Sequence, residues 1–249
     1  MTEPRKNHFK AALADRRPVH GVWCQIGDSA VAEMIAAAGF DWMLFDTEHS
    51  PLTAASILPL LQAVAAYPVS ALVRPASLDV VDIKKILDLG AQTLLIPMVQ
   101  TAEQAALAVA AVTYPPAGIR GVAGATRASG FGRIAGYHAS ARDEICLLVQ
   151  VETVEAVAQI ESIAAVPGID GIFVGPADLA ASMGFPGEPG RPEVRAAVVE
   201  AIRRIRAAGQ PPGILTPDPV LFDAACVAGA VFVARDIDLL ALRKGLSRG

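Results

Sequence analysis

Two runs decide how this chain is read: Leu147-Leu148-Val149-Gln150-Val151-Glu152, and Ile169-Asp170-Gly171-Ile172-Phe173-Val174 continuing into Gly175-Pro176-Ala177-Asp178-Leu179. Each opens on a short, continuous apolar stretch, the pattern of a strand buried on both faces. Between them, residues 154–165 repeat Ala and Ile every three or four positions, the spacing of a helix. Strand, helix and strand in that order make a right-handed βαβ unit. Each strand then delivers one carboxylate at its C-terminal end, Glu152 and Asp178. In parallel α/β proteins that is the edge where ligands and metals bind.

Working outward, the same alternation continues in both directions. Strands are expected over 21–25, 42–46, 69–74, 93–97, 147–151, 169–174, 213–215 and 230–234. Helices are expected over 7–13, 29–38, 53–66, 78–89, 101–112, 154–165, 192–208, 219–227 and 236–246, several opened by Ser or Thr and closed by Gly. Eight strands alternating with helices, with no linker-like composition, predict an α/β fold: one (β/α)8 TIM barrel over residues 1–249. A short N-terminal helix leads in, and residues 1–6 are expected to be flexible. A doubly wound open sheet is the alternative, but Gln25-Ile26-Gly27-Asp28 is not the glycine-rich loop it would need. Residues 113–143 lack periodicity and hold six glycines and four arginines, so they are expected to form a long functional or disordered loop.

Composition narrows the function. The chain has 249 residues, 53% of them hydrophobic, enough for one large core. A formal charge of -4 gives nucleic acid no basic footprint. The uncharged stretch 50–73 is broken by Pro51, Pro59 and Pro68, and a helix plus a strand explains it better than a membrane span. No signal peptide is visible in residues 1–10. Cys24, Cys146 and Cys226 lie far apart and read as reduced core residues of a cytoplasmic protein.

The strand ends carry Gln25, Asp46, Glu48, His49, Arg74, Gln100, Gln150, Glu152, Asp178, Leu215 and Thr216. Glu152 and Asp178 suit a hard divalent cation, or else serve as first-turn helix acids. Paired carboxylates also suit glycoside hydrolysis, but aromatics make up only 5% of the chain, too few for sugar platforms. Arg74 has the fork for a carboxylate or enolate oxygen, or pairs with Asp46 or Asp79. His49 is a general base or a surface residue. Asp88 orients a histidine or is a solvated helix end. All five lysines (Lys6, Lys10, Lys84, Lys85, Lys244) lie away from strand ends, which argues against Schiff-base chemistry.

These residues resemble the HpcH/HpaI aldolase family. The likeness runs through Ala38-Gly39-Phe40-Asp41-Trp42, Asp46-Thr47-Glu48-His49-Ser50-Pro51, Val73-Arg74-Pro75, Leu87-Asp88-Leu89-Gly90-Ala91-Gln92, Ile96-Pro97-Met98-Val99, Tyr114-Pro115-Pro116, Gly118-Ile119-Arg120-Gly121, Val149-Gln150-Val151-Glu152-Thr153 and Gly175-Pro176-Ala177-Asp178-Leu179 with Ser182-Met183-Gly184. The resemblance implies a class II pyruvate aldolase that cleaves 4-hydroxy-2-oxoacids reversibly to pyruvate and an aldehyde. It implies a divalent metal (Mg2+, Mn2+ or Co2+) on Glu152 and Asp178. Arg74 would hold the keto oxygen and stabilise the enolate, and Gln150 would help position the ligand. His49 paired with Asp88 would serve acid–base chemistry, with Asp46 and Glu48 behind them. The Ala177 backbone would meet the pyruvate carboxylate, and Leu215 would shape the aldehyde pocket. Arg127 is expected to cover the site from the long loop. A homo-hexamer is implied, its C-terminal helix packing on a neighbour. The departures are Gly130-Phe131-Gly132-Arg133, read as small and flexible, and Ala234-Arg235-Asp236-Ile237-Asp238 at the end of strand eight. A citrate-lyase-β-like CoA-ester lyase and a non-catalytic ketoacid-binding barrel are the rival readings.

Overall fold

A computed structural model describes residues 5–247, so the expectation for the first four residues lies outside the described residues. Arg5 and Lys6 are tied down, Gln92 donating to the Arg5 carbonyl and Lys6 pairing with Glu144. Eight parallel strands close into a barrel in sequence order: β1 (Val19–Cys24), β2 (Trp42–Asp46), β3 (Ser70–Arg74), β4 (Thr93–Ile96), β5 (Cys146–Val151), β6 (Gly171–Val174), β7 (Pro212–Leu215) and β8 (Phe232–Ile237). The expected TIM barrel is the observed fold. Among the described residues no helix is long and apolar enough to cross a membrane.

Side-chain alternation along the strands sorts the core into two parts. Trp23, Trp42, Leu44, Leu72, Leu95, Cys146, Leu148, Phe173 and Phe232 fill the barrel, while Met43, Phe45, Val73, Leu94, Leu147 and Val149 pack outward under the helices. Large rings fit inside because their neighbours are small. A Cβ on Gly213 would come within 2.1 Å of the Phe232 ring. Phe9, on the N-terminal helix His8–Ala14, stands edge-on to Trp42 and Phe232 at 6.1 and 5.8 Å and plugs the N-terminal mouth. Truncating such a ring costs about 3–5 kcal/mol. Carried one step further, the same alternation turns Asp46, Arg74, Gln150 and Leu215 toward the C-terminal mouth.

Several expectations change. Helix 154–165 is two pieces, Val154–Ala158 and Ile160–Ala164. Strand eight runs on to Ile237 because its pairing with β1 slips between Gly21 and Val22, leaving Arg235 as an extra residue, and the last helix begins at Asp238. Cys226 is exposed, whereas Cys24 and Cys146 are buried. The long loop is built rather than flexible. Ser129 is buried and its hydroxyl ties Gly124, Thr126 and Gly132, and Arg120 is fully buried over the Tyr114 ring.

Candidate active site

Strand register creates the first part of the site. Asp46 and Arg74 are paired across β2 and β3, so both turn into the mouth side by side. Arg74 Nε donates to Asp46 Oδ1 at 2.9 Å and its Nη2 to Oδ2 at 2.7 Å, a bidentate fork. Its Nη1 lies 2.8 Å from Glu48 Oε2, an ion-pair contact without hydrogen-bond alignment. Trp23 supports both partners, its Nε1 donating to Asp46 Oδ2 at 3.1 Å and its ring lying 4.8 Å from the guanidinium. Burial acts to raise the Asp46 carboxyl, but Arg74 and the Trp23 and Glu48 N–H donors outweigh it and hold it below its ordinary value. The Asp46 pairing expected as one fate of Arg74 is therefore present, with N–H groups still to spare.

The second part lies on β5 and β6. Glu152 is buried, accepting from Met98 N at 2.9 Å and from the Gln150 side-chain amide. Met98 reaches it from a left-handed backbone, φ 53°, a conformation that costs a non-glycine residue about 1–2 kcal/mol. Gly175 closes the other side. A Cβ there would lie 2.5 Å from Glu152 Oε2, so only glycine leaves this carboxylate its place. Asp178 sits in the first turn of the helix Pro176–Ser182 and is half-buried, with Ala177 exposed before it. Burial first, then the charges of Asp178 and Glu48, push Glu152 up to about 7 despite its two hydrogen bonds. Glu48 is raised in the same way, by burial and by Asp46 and Asp178, against Arg74 and His49.

This donor set fits a divalent cation. Glu152 and Asp178 stand at the ends of neighbouring strands, near enough for their carboxylates to repel, and the buried Gln150 Oε1 has no hydrogen-bond partner. Among the described residues no three His, Cys, Asp or Glu side chains close around one point. Two carboxylates with the remaining positions left to water and substrate is the way Mg2+ is held.

The other expected residues divide. His49 is on the rim, its side chain 59% exposed and 3.8 Å from Glu48. Leu215 is half-buried at the end of β7. Asp88 and Arg127 are not brought to this mouth within one chain. Asp88 ends the helix Val80–Asp88, on the side from which β4 starts, and pairs with Arg120 at 3.0 Å. Arg127 donates to the Leu89 carbonyl at 2.7 Å, and with Arg5 and Gln92 it lines cavities of about 310 and 470 Å³ at that opposite end. Sequence reasoning missed Trp23, Met98 and Gly175. Trp23 was legible as an inward residue of β1, and Gly175 as a glycine directly after a strand; the Met98 main chain left no signal.

The HpcH/HpaI aldolase/citrate lyase family model matches residues 20–242. The chain belongs to this family. A hydroxypyruvate/pyruvate aldolase from Sagittula stellata is 56% identical over 96% of this chain and 94% of its own. A 4-hydroxy-2-oxo-heptane-1,7-dioate aldolase from Salmonella dublin is 53% identical over 96% of this chain and 92% of its own. Among solved structures, an HpcH/HpaI aldolase/citrate lyase family protein from Burkholderia cenocepacia J2315 superposes with a TM-score of 0.92 at 36% identity, covering 97% of this chain and 98% of its own. The HpcH/HpaI assignment thus spans the whole barrel, both halves of the site included.

Proposed function

We propose that the protein is a pyruvate aldolase, cleaving 4-hydroxy-2-oxoacids reversibly to pyruvate and an aldehyde with the help of a divalent cation. The carrying observation is Arg74, locked by Asp46 at the C-terminal strand ends where Glu152 and Asp178 also stand, in a mouth without lysine. Relatives above 50% identity named as aldolases support this reading over a CoA-ester lyase. Glu152 and Asp178 would hold Mg2+, Mn2+ or Co2+. Bound there, the cation supplies Lewis-acid stabilisation of the negative charge that develops on the ketoacid.

The residues of the chain do the rest. Three of the five N–H groups of Arg74 face Asp46 and Glu48, leaving two for the keto oxygen. Because Asp46 fixes the fork, those donors need no reorganisation as the enolate forms. The backbone N–H groups around Ala177 would meet the substrate carboxylate, Gln150 would help position the ligand through its hold on Glu152, and Leu215 would border the aldehyde. His49, on the open rim, is the group available to move a proton at the aldehyde oxygen. Asp88 and Arg127 lie at the other end of their own barrel. Their expected roles beside His49 and the acceptor would therefore be played in a neighbouring subunit, which agrees with the proposed hexamer. The buried free thiols Cys24 and Cys146 support a cytoplasmic setting.

The test is exchange of pyruvate methyl protons into D2O, with Mn2+ and after complete metal removal. Metal-dependent exchange, together with aldol product when a short aldehyde is added, is the expected result. Exchange that persists in metal-free protein overturns the metal-dependent mechanism, and no exchange with any of the three cations overturns the aldolase reading.

A further inference from the structure

We infer that Asp238 is a positioning residue for the loop that carries His49, acting at a distance through Gln25. Asp238 is a buried carboxylate at the start of the C-terminal helix Asp238–Leu246. Its Oδ2 accepts from two successive main-chain donors, Gln25 N and Ile26 N, both at 2.9 Å. Its Oδ1 accepts from Leu239 N at 2.7 Å. Bonds from N–H groups to an ionised carboxylate are the strong kind, about twice a neutral bond. They pin the chain just beyond β1.

From that pinned backbone the Gln25 side chain reaches the loop after the neighbouring strand β2. Its Nε2 donates to the His49 carbonyl at 2.9 Å and lies 3.4 Å from Asp46 Oδ2. Packing repeats the link, since Gly27 sits against Leu52 so closely that a Cβ would come within 2.6 Å of it. Among the described residues the His49 side chain has one charged partner, Glu48 at 3.8 Å. Its main chain therefore sets where the imidazole stands, and Gln25 ties that main chain from outside the loop.

The extra residue in β8 makes this geometry. Arg235 is exposed and its guanidinium lies 5.0 Å from the Phe222 ring. The slip it creates shifts every later residue by one, and a one-residue shift exchanges the two faces of a strand. Asp238 thereby arrives beneath β1 as the helix begins.

The catalytic part of this inference rests on the proposed aldolase function; the structural part does not. The test compares the full-length wild type with Asp238→Asn, Gln25→Ala and the double variant, in two readouts. Asparagine keeps the shape but has one acceptor oxygen where the carboxylate uses two, so amide hydrogens must face either the Leu239 N–H or the Gln25 and Ile26 N–H groups, and the charge is lost. Backbone hydrogen exchange of the 46–52 segment should accelerate in both single variants. The turnover number should fall on the order of tenfold while KM for pyruvate and Mn2+ affinity stay within about twofold, because a general acid–base group is displaced and the ketoacid clamp is not. In the double variant the losses should not multiply. Multiplying losses, or unchanged exchange and turnover in Asp238→Asn, overturn the inference. Gln25→Ala, at a half-buried position, keeps the test open if Asp238→Asn fails to fold. If the wild type turns over no pyruvate, the aldolase reading fails, and hydrogen exchange alone still decides the coupling.

Discussion

Glu152→Gln should stabilise the metal-free protein while destroying its function. The Glu152 carboxyl is pushed from an ordinary 4.5 up to about 7 by burial and by Asp178 and Glu48. At 1.36 kcal/mol per unit, that difference amounts to about 3 kcal/mol. The sign follows from proton linkage. Below about pH 4.5 the group is protonated folded or unfolded and costs nothing. As pH rises toward 7 the folded state holds the proton more tightly than the unfolded one, so stability is progressively lost, and above 7 the whole penalty is present. Glutamine is neutral throughout. It still accepts from Met98 N, and Gln150 can turn its unpartnered Oε1 toward the new amide. In EDTA at pH 8 the variant should melt about 6–12 °C above the wild type, given about 2–4 °C per kcal/mol for a chain of this length. The gap should shrink as pH falls toward 5. Mn2+ should raise the wild-type melting temperature and leave the variant unmoved. Thermal melts by circular dichroism across pH 5–8 check this. A variant that melts below the wild type at pH 8, or a gap independent of pH, would refute the claim that Glu152 is held at electrostatic cost.

Arg74→Lys keeps the charge but loses the fork that meets both Asp46 oxygens, so pyruvate proton exchange should fall on the order of a hundredfold. Lysine exchanging as fast as arginine would mean that charge alone suffices. Gly175→Ala puts a methyl group 2.5 Å from Glu152 Oε2 and should weaken Mn2+ binding at least tenfold by calorimetry, about 1.4 kcal/mol, with the barrel's circular dichroism unchanged. Leu215→Ala should change the ratio of kcat/KM between short and long aldehydes while pyruvate exchange stays within twofold. Equal losses in both assays would move Leu215 into the pyruvate site.

The barrel was legible because its signals are local and repeated: eight apolar runs, helices between them, and glycine stops at the helix ends. That Asp46, Arg74, Gln150 and Glu152 stand at strand ends was legible for the same reason, although the roles of Asp46 and Gln150 came from resemblance and Arg74 and Glu152 kept structural alternatives. What escaped depends on three-dimensional register. No spacing rule announces that Arg235 is an extra residue, because a bulge is fixed by pairing with β1 rather than by its own sequence. Nor does sequence reveal that Met98 offers its backbone N–H from a left-handed conformation, which a methionine does not advertise. Asp88 was read as a site residue by resemblance and Arg127 from its place in the long loop, yet one chain holds both at the far mouth. Which end of the barrel a loop residue reaches depends on the path of the chain, and spacing does not record it.

Two readings of Arg74 compete in the sequence, and the fold leaves room for both, since the Asp46 fork spares N–H groups for a ligand. Asp46, Glu48, Glu152 and Asp178 bring four carboxylates to a mouth with one arginine. Asp46 is satisfied, held below its ordinary value by the Arg74 fork. Glu48 and Glu152 are not, and both are raised by burial and by their acidic neighbours. If Arg74 were a structural ion pair only, Asp46 alone would complete it, and burying two further acids beside it would destabilise the fold for no return. A divalent cation held by Glu152 and Asp178 would remove that imbalance. On the proposed reading the ketoacid would then find positive charge from both Arg74 and the cation, so the charge of an enolate would fall where the protein alone is short of it.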